Sequence, residues 1–343
     1  MTPREFDESD VRIRPGRRTR PRSKDRPSHS DAIQALVTTV DRGRTTCITN
    51  DGIIVTAMKA REMGPKSVVV GDLVNLVGDV SGAEGSLARI VSIEARRNSL
   101  SRTVDDAAKM ERTIVANIDQ LVIVVAAANP EPRRGLIDRF LVCAFHENIK
   151  PILLVTKTDV AAVPDFLHEY ETLGVEIATA AIKSDSREAD LANLFQMLNG
   201  KTSVLVGHSG VGKSTLINAL VPHADRLTGD VNDVTGRGRH TSSSAIALPL
   251  ATDLSPAQGW IIDTPGIRAF GLAHLDSNRI VAAFEDLYEV TQSCMPNCSH
   301  HEVGCQLNEW AAPKGVVNNE RSARVASLRS LLELKDSNPP ALD

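Results

Sequence analysis

Lys213 and Ser214 close the octapeptide Gly207-His208-Ser209-Gly210-Val211-Gly212-Lys213-Ser214, which fits the pattern G-x-x-x-x-G-K-[ST]. Glycines at this spacing let backbone N–H groups close around a β-phosphate, and a helix opening at Lys213 adds its positive end. Lys213 neutralises charge on the β/γ-phosphates, and the Ser214 hydroxyl, followed by Thr215, is placed to ligate Mg²⁺. Asp263-Thr264-Pro265-Gly266 follows a later apolar run. Its carboxylate can hold Mg²⁺ through water, and the Gly266 N–H can meet a γ-phosphate. Alone, this tetrapeptide is a common turn; downstream of a phosphate loop and a strand it reads as a switch.

Thr156-Lys157-Thr158-Asp159 is a base-reading pattern, T-K-x-D. Asp159 is expected to accept from guanine N1 and N2, a donor pair adenine does not present, and the Lys157 stem to pack over the base. Thr156 stands where asparagine is commoner, which weakens one contact without changing the base chosen. A second base-contacting segment belongs after the next strand, near Ala180-Ala181, but the usual serine-alanine pair is absent there. The base motif precedes the phosphate loop, the reverse of the ordinary order.

Between the phosphate loop and Asp263 lies Gly236–Ser244, a polar, glycine-bearing segment where a second switch belongs. Thr241 is placed to close over Mg²⁺ and the γ-phosphate. His240 is the candidate to position or deprotonate water, since imidazole titrates near neutrality; the competing reading is a surface histidine in a loop. Ile267 occupies the place where many nucleotide hydrolases carry a water-orienting glutamine, and an apolar side chain cannot do that.

Cys294, Cys298, His300 and Cys305 offer three thiolates and an imidazole within twelve positions, a set suited to one tetrahedral, structural zinc. His301 is a rival ligand.

Hydrophobic periodicity supplies the elements that must hold these residues. From Asp31 to about Ala95 short β-type runs (Ala35–Val40, Thr45–Thr49, Ile53–Ala57, Ser67–Val70, Leu73–Val77, Leu87–Ile93) predict a five- or six-stranded barrel of OB type. No aromatic residue occurs between Phe6 and Phe140, so the barrel has no base-stacking platform and is expected to meet folded RNA through backbone and phosphate. Strand–helix alternation then predicts a parallel sheet. Its strands are Gln120–Ala126, Pro151–Val155, Ser203–Val206, Ala245–Leu250 and Trp260–Asp263; its helices are Arg133–Asn148, Pro164–Leu173 and Lys213–Leu220. Ser277–Val290 and Asn319–Leu334 read as amphipathic helices, the first with Ile280, Val281, Phe284, Leu287 and Tyr288 inward. The expected organisation is a basic disordered arm (1–30), an OB-fold barrel (31–96), a circularly permuted GTPase domain of P-loop α/β type (97–273) and a mostly helical zinc-binding domain (274–343).

The chain has 343 residues and a net charge of −4, but residues 1–30 carry nine Lys/Arg against five Asp/Glu. Between Arg12 and Arg26 stand eight basic residues and one acid. Such a segment cannot bury enough apolar surface to fold alone and is suited to phosphate, though a solubilising tail has the same composition. No apolar run is long enough to span a bilayer and the first thirty residues lack a signal core, so a soluble, cytoplasmic protein is expected. Five scattered cysteines do not make a disulfide scaffold.

The permuted order of Thr156–Asp159, Gly207–Thr215, Gly238-Arg239-His240-Thr241 and Asp263–Ile267, with the barrel before and the cysteine cluster after, resembles the bacterial ribosome small-subunit-dependent GTPase A family. The resemblance implies the OB-fold, the permuted GTPase domain and the zinc domain. It also implies GTP and GDP as ligands, and late maturation of the 30S subunit through contact with 16S rRNA. GTP hydrolysis stimulated by the 30S subunit, with His240 acting in hydrolysis, is implied as well. A monomer is expected. A P-loop kinase or ATPase is the rival enzyme class, opposed by Asp159 and the D-T-P-G switch. A non-catalytic RNA scaffold is the rival binding class, opposed by the complete phosphate and Mg²⁺ motifs.

Overall fold

Alternating burial along Ile33–Asp41 (β1), Arg44–Thr49 (β2), Ile54–Lys59 (β3), Leu73–Gly78 (β4) and Ala88–Ile93 (β5) turns one side chain in two toward a common axis. In the computed structural model these strands pair in the order β1-β2-β3-β5-β4 and close through β4 onto β1, the expected OB-type barrel. Its lumen is filled by Ala35, Val37, Cys47, Val55, Ala57, Val74, Leu76, Ala88 and Ile90, small and branched side chains that suit so narrow a cylinder. Burial pushes the Cys47 thiol up to about 12, which leaves it an inert core group. Of the expected strand Ser67–Val70 the described residues 68–70 form no strand, Val70 making an isolated bridge to Val115.

The structure describes residues 30–41, 43–63, 68–105, 110–221, 245–250, 259–264, 276–313 and 318–337. The basic arm, the switch segment with His240 and Thr241, and Gly266 and Ile267 lie outside the described residues.

A hairpin that the sequence pattern did not reveal, Ser99–Asp105 (β6) with Met110–Ala116 (β7), follows the barrel. Gly71 touches it so closely that a Cβ there would fall 2.1 Å from the Ala116 carbonyl oxygen, at a φ of +87°. Only glycine tolerates both conditions.

The second sheet contains Gln120–Ala126 (β8), Lys150–Thr156 (β9), Glu176–Ala180 (β10), Thr202–Val206 (β11), Ile246–Pro249 (β12) and Trp260–Asp263 (β13). Its order is β10-β9-β8-β11-β13-β12, parallel except for β12, and β12 joins the barrel through Thr39 of β1 opposite Ile246. Both faces are covered. Ile123 and Val125 of β8 join the core that contains Phe140 of Arg134–His146 (α1). Their neighbours Val122 and Val124 join the core that contains Leu194 of Arg187–Leu198 (α2) and Leu216 of Lys213–Leu220 (α3). Cys143 of α1 is buried in the first core.

Asp165–Leu173 is a 3₁₀ helix rather than the α-helix expected from Pro164 onward. Leu167, Tyr170 and Leu173 are its buried residues, a repeat of three that matches three residues per turn. The stretch from Ser277 is two helices, Ser277–Ala282 (α4) and Glu285–Thr291 (α5). The break at Ala283–Phe284 lets Phe284 meet Phe145 edge-to-face at 4.5 Å, and it leaves Tyr288 exposed instead of inward. Gln306–Ala311 (α6) and Asn319–Ser337 (α7) complete the fold, α7 packing on α1 and the 3₁₀ helix. Among the described residues no helix is long and apolar enough to cross a membrane.

Candidate nucleotide site and metal centre

Because β8, β9, β10, β11 and β13 are parallel, their carboxyl ends share one edge of the sheet, where open α/β folds bind ligands. Five segments leave that edge: Ala127–Arg133 after β8, Thr156–Asp159 at β9, residues 181–186 after β10, Gly207–Gly212 after β11 and Asp263 at β13. Strand β8 lies between the base-motif strand β9 and the phosphate-loop strand β11. The structure therefore brings side by side two motifs that sequence separates by about fifty residues.

Gly207 has φ +144°, and a Cβ there would stand 2.2 Å from the Val124 carbonyl oxygen, so the loop leaves β11 only as glycine. The loop ends at Gly212, φ +101°, and α3 begins at Lys213. His208, Ser209, Gly210, Ser214 and Thr215 are exposed at the mouth, whereas Val211 is buried. Lys213 Nζ donates to the carbonyls of Gly207 (2.6 Å) and His208 (2.9 Å). Burial lowers the pKa of Lys213, with Asp263 opposing that shift; burial likewise raises the carboxyl of Asp263, with Lys213 opposing. Two half-desolvated opposite charges thus face the cradle in which phosphate and its cation belong. Thr264 Oγ donates to the Leu205 carbonyl (3.0 Å) and pins the start of the D-T-P-G segment to β11.

Thr156 is buried, and its hydroxyl lies 2.5 Å from the Val211 carbonyl of the phosphate loop and 3.0 Å from the Val125 carbonyl of β8. The residue expected to weaken one base contact is a tie between the two motifs, a role that only the fold reveals. Lys157 takes φ +58° and its Nζ donates to the Asn129 carbonyl, so its stem lies across the site mouth. Asp159 is exposed at the end of the motif, open to a ligand. Ala180 ends β10 opposite Thr156 in the ladder, and Ala181 follows it. The Ala181 N–H already donates to Asp190 Oδ2 (2.8 Å).

In the C-terminal helical part the ligand atoms of Cys294, Cys298, His300 and Cys305 lie within 4.8 Å of one another. Cys294 and Cys305 Sγ are 3.8 Å apart, and His300 Nδ1 is 3.9 and 3.8 Å from them. A tetrahedral ion with metal–sulfur bonds of about 2.3 Å needs sulfurs about 3.8 Å apart, so the donor set fits. Burial lowers the pKa of His300, favouring the neutral imidazole that ligation requires. Cys298 Sγ is 3.0 Å from Glu302, whose carboxyl is held at about 2 first by that thiol and then by the Ser299 N–H. His301 Nδ1 instead faces Glu333 at 3.4 Å, outside the cluster. Arg329 Nε donates to the His300 carbonyl (2.7 Å) and fastens the ligand loop to α7.

The parallel sheet, the phosphate loop after β11 and the base motif on an earlier strand define a circularly permuted P-loop GTPase. Comparison with known proteins agrees. A family model described as RsgA GTPase matches residues 93–273. The small ribosomal subunit biogenesis GTPase RsgA of Paraburkholderia xenovorans (strain LB400) is 35% identical over 267 residues, 76% of this chain and 81% of that protein. Its counterpart in Actinobacillus pleuropneumoniae serotype 5b (strain L20) is 36% identical over 279 residues, 79% of this chain and 77% of that protein. The crystal structure of YjeQ from Thermotoga maritima shares the fold with a TM-score of 0.62 and 23% identity, covering 88% of this chain and 99% of that one. That of YloQ, a circularly permuted GTPase, gives 0.61 and 23%, covering 92% and 99%. The chain belongs to the RsgA GTPase family.

Proposed function

We propose that this protein hydrolyses GTP during late maturation of the 30S ribosomal subunit and that contact with the subunit stimulates turnover. The observation that supports this reading is the Thr156–Val211 tie, which joins the T-K-x-D segment to the G-x-x-x-x-G-K-[ST] loop. In this reading Asp159 selects guanine and Lys157 covers the base. Backbone N–H groups of Gly207–Gly212, the α3 N-terminus and Lys213 neutralise charge on the β/γ-phosphates. Ser214 and Thr241 would hold Mg²⁺, with Asp263 behind water, and the cation would screen the phosphates. His240 orients or deprotonates the attacking water in place of the missing glutamine. Cys294, Cys298, His300 and Cys305 hold one structural zinc. The arm (1–30), barrel (31–96) and zinc domain (274–343) are the RNA-facing parts around the GTPase domain (97–273), with 16S rRNA the partner of a monomeric, cytoplasmic protein.

GTP turnover measured with 30S subunits, with 50S subunits and with neither tests the reading. The expected result is stimulation by 30S alone, lost in His240→Ala with GTP affinity retained. Turnover indifferent to 30S subunits rejects it, and equal affinity for ATP and GTP rejects the guanine site.

A further inference from the structure

Strand β1 belongs to both halves of the fold, and it changes partners in mid-course. Along one edge it pairs with β2 from Ala35 to Asp41. Its other edge is shared: Ile33–Leu36 face β4 and close the barrel, whereas Thr39 faces Ile246 of β12. A bulge marks the changeover. Val37 stands opposite Cys47 and Thr39 opposite Thr46, so Thr38 is the extra residue. Thr38 is buried, and its hydroxyl donates to the Thr46 carbonyl (3.2 Å), which staples the bulge to β2. Side chains alternate along a strand, so without this one residue β1 would turn its opposite face to β12.

The register carries this junction to the nucleotide site. Ile246 is the ladder partner of Thr39 on one side and of Asp263 on the other. Asp263, Ile246, Thr39 and Thr46 therefore form one row across four strands. The row runs from the carboxylate that opposes Lys213 into the barrel, and three inter-strand steps make it roughly 14 Å long. β12 also follows the segment that holds Thr241, with Ile246 five positions beyond it. The strand is held unequally. All four of its residues pair with β13, but among the described residues Thr39 is its one partner in β1. The Thr39–Ile246 pair is thus a narrow link, made or broken as a unit, between the nucleotide edge and the barrel. We propose that Thr38 is a positioning residue for hydrolysis: its bulge keeps Thr39 against Ile246, and through that pair the nucleotide state and the setting of the barrel bias one another. This rests on the GTPase reading above and adds to it a route by which contact at the barrel reaches Asp263.

The test is amide hydrogen exchange of the full chain with GDP and with a non-hydrolysable GTP analogue, each with Mg²⁺. In wild type the amides of β1 and β2 around Thr39 and Thr46 should exchange at least about fivefold more slowly with the triphosphate, the lower end of ordinary coupling between sites. Thr38→Val keeps the volume and loses the hydroxyl. It should bring that ratio close to one, with GTP affinity and basal turnover within about twofold of wild type. Thr38→Ser, which keeps the hydroxyl, should restore the ratio. Thr39→Gly, which weakens the same pair without touching the staple, should act like Thr38→Val. Stimulation by 30S subunits should follow the same order. A general loosening speeds exchange with both nucleotides alike, so their ratio separates coupling from stability. The proposal is overturned if wild type exchanges equally in both states, if Thr38→Val keeps the wild-type ratio, or if its GTP affinity falls together with the ratio. A ratio lost in Thr38→Val, in a wild type that 30S subunits do not stimulate, would uphold the coupling and reject the subunit reading instead.

Discussion

Replacing Thr156 with valine removes one hydroxyl and nothing else of consequence in volume. The buried hydroxyl lies between the carbonyls of Val211, in the phosphate loop, and Val125, in β8. It carries a single proton, so its principal bond is the shorter one, to Val211 at 2.5 Å. Losing a net hydrogen bond costs about 0.5–1.5 kcal/mol, and leaving a buried carbonyl without its donor raises the cost to about 1–3 kcal/mol. Part of this falls on the fold and part on nucleotide binding, because the phosphate loop is then no longer tied at the height of the base motif. Nucleotide affinity should fall roughly 5- to 30-fold if about 1–2 kcal/mol is expressed in binding. The GTP/ITP ratio should not change, since Asp159 is untouched. Titration of wild type and Thr156→Val with GDP and with inosine diphosphate, alongside urea denaturation without nucleotide, separates the two parts. Affinity and stability both within about twofold of wild type (~0.4 kcal/mol) would refute the claim that this hydroxyl joins the motifs.

Asp263→Asn gives a pH test. The folded-state pKa of Asp263 is raised by burial, so the native form binds its proton more readily than the unfolded chain. The ionised carboxylate therefore destabilises the nucleotide-free protein above that pKa, and the penalty fades as pH falls toward the ordinary carboxylate value. Thermal denaturation at pH 7 should find the asparagine variant at least as stable as wild type, an advantage that shrinks in acid, while Mg²⁺-dependent turnover is lost; a variant less stable at pH 7 than at pH 4, each relative to wild type, contradicts this. Elemental analysis should find one zinc per chain, and Cys305→Ser or chelation should unfold α4 to α7 before the parallel sheet, as followed by hydrogen exchange. Full protection of those helices after chelation would show that packing, not metal, holds them. Asp159→Asn should weaken GTP binding and shift preference toward xanthine nucleotides, measured by competition; an unchanged preference removes Asp159 from the base site. Deleting residues 1–30 should weaken 30S association and flatten its salt dependence without altering basal turnover, whereas an unchanged salt slope marks the arm as a solvated tail.

Local pattern alone was enough for the strands Gln120–Ala126 and Trp260–Asp263 and the helix Lys213–Leu220, because each carries an unbroken apolar run or a capped period of its own. The phosphate and base motifs are legible as patterns because they are written in consecutive residues, and the Cys294–Cys305 ligand atoms lie together because ligands close in sequence are close in space. What tertiary structure decided was whatever depends on residues far apart. The 3₁₀ form of Asp165–Leu173 puts Leu167, Tyr170 and Leu173 on one buried face, and the break before Glu285 accompanies the contact of Phe284 with Phe145, a residue far away in sequence. The β6–β7 hairpin has no distinctive turn or alternation, so only its pairing reveals it. The hydroxyl of Thr156, read from sequence as a deficient asparagine, became a tie once β8 placed β9 and β11 on either side of it. Asp190 had no sequence signal at all: a carboxylate in a helix's first turn is ordinary, and its hold on Ala181 exists only because α2 folds back beneath the end of β10. Composition and spacing fix which chemistry a chain can carry; long-range packing fixes which donors and acceptors remain free to carry it.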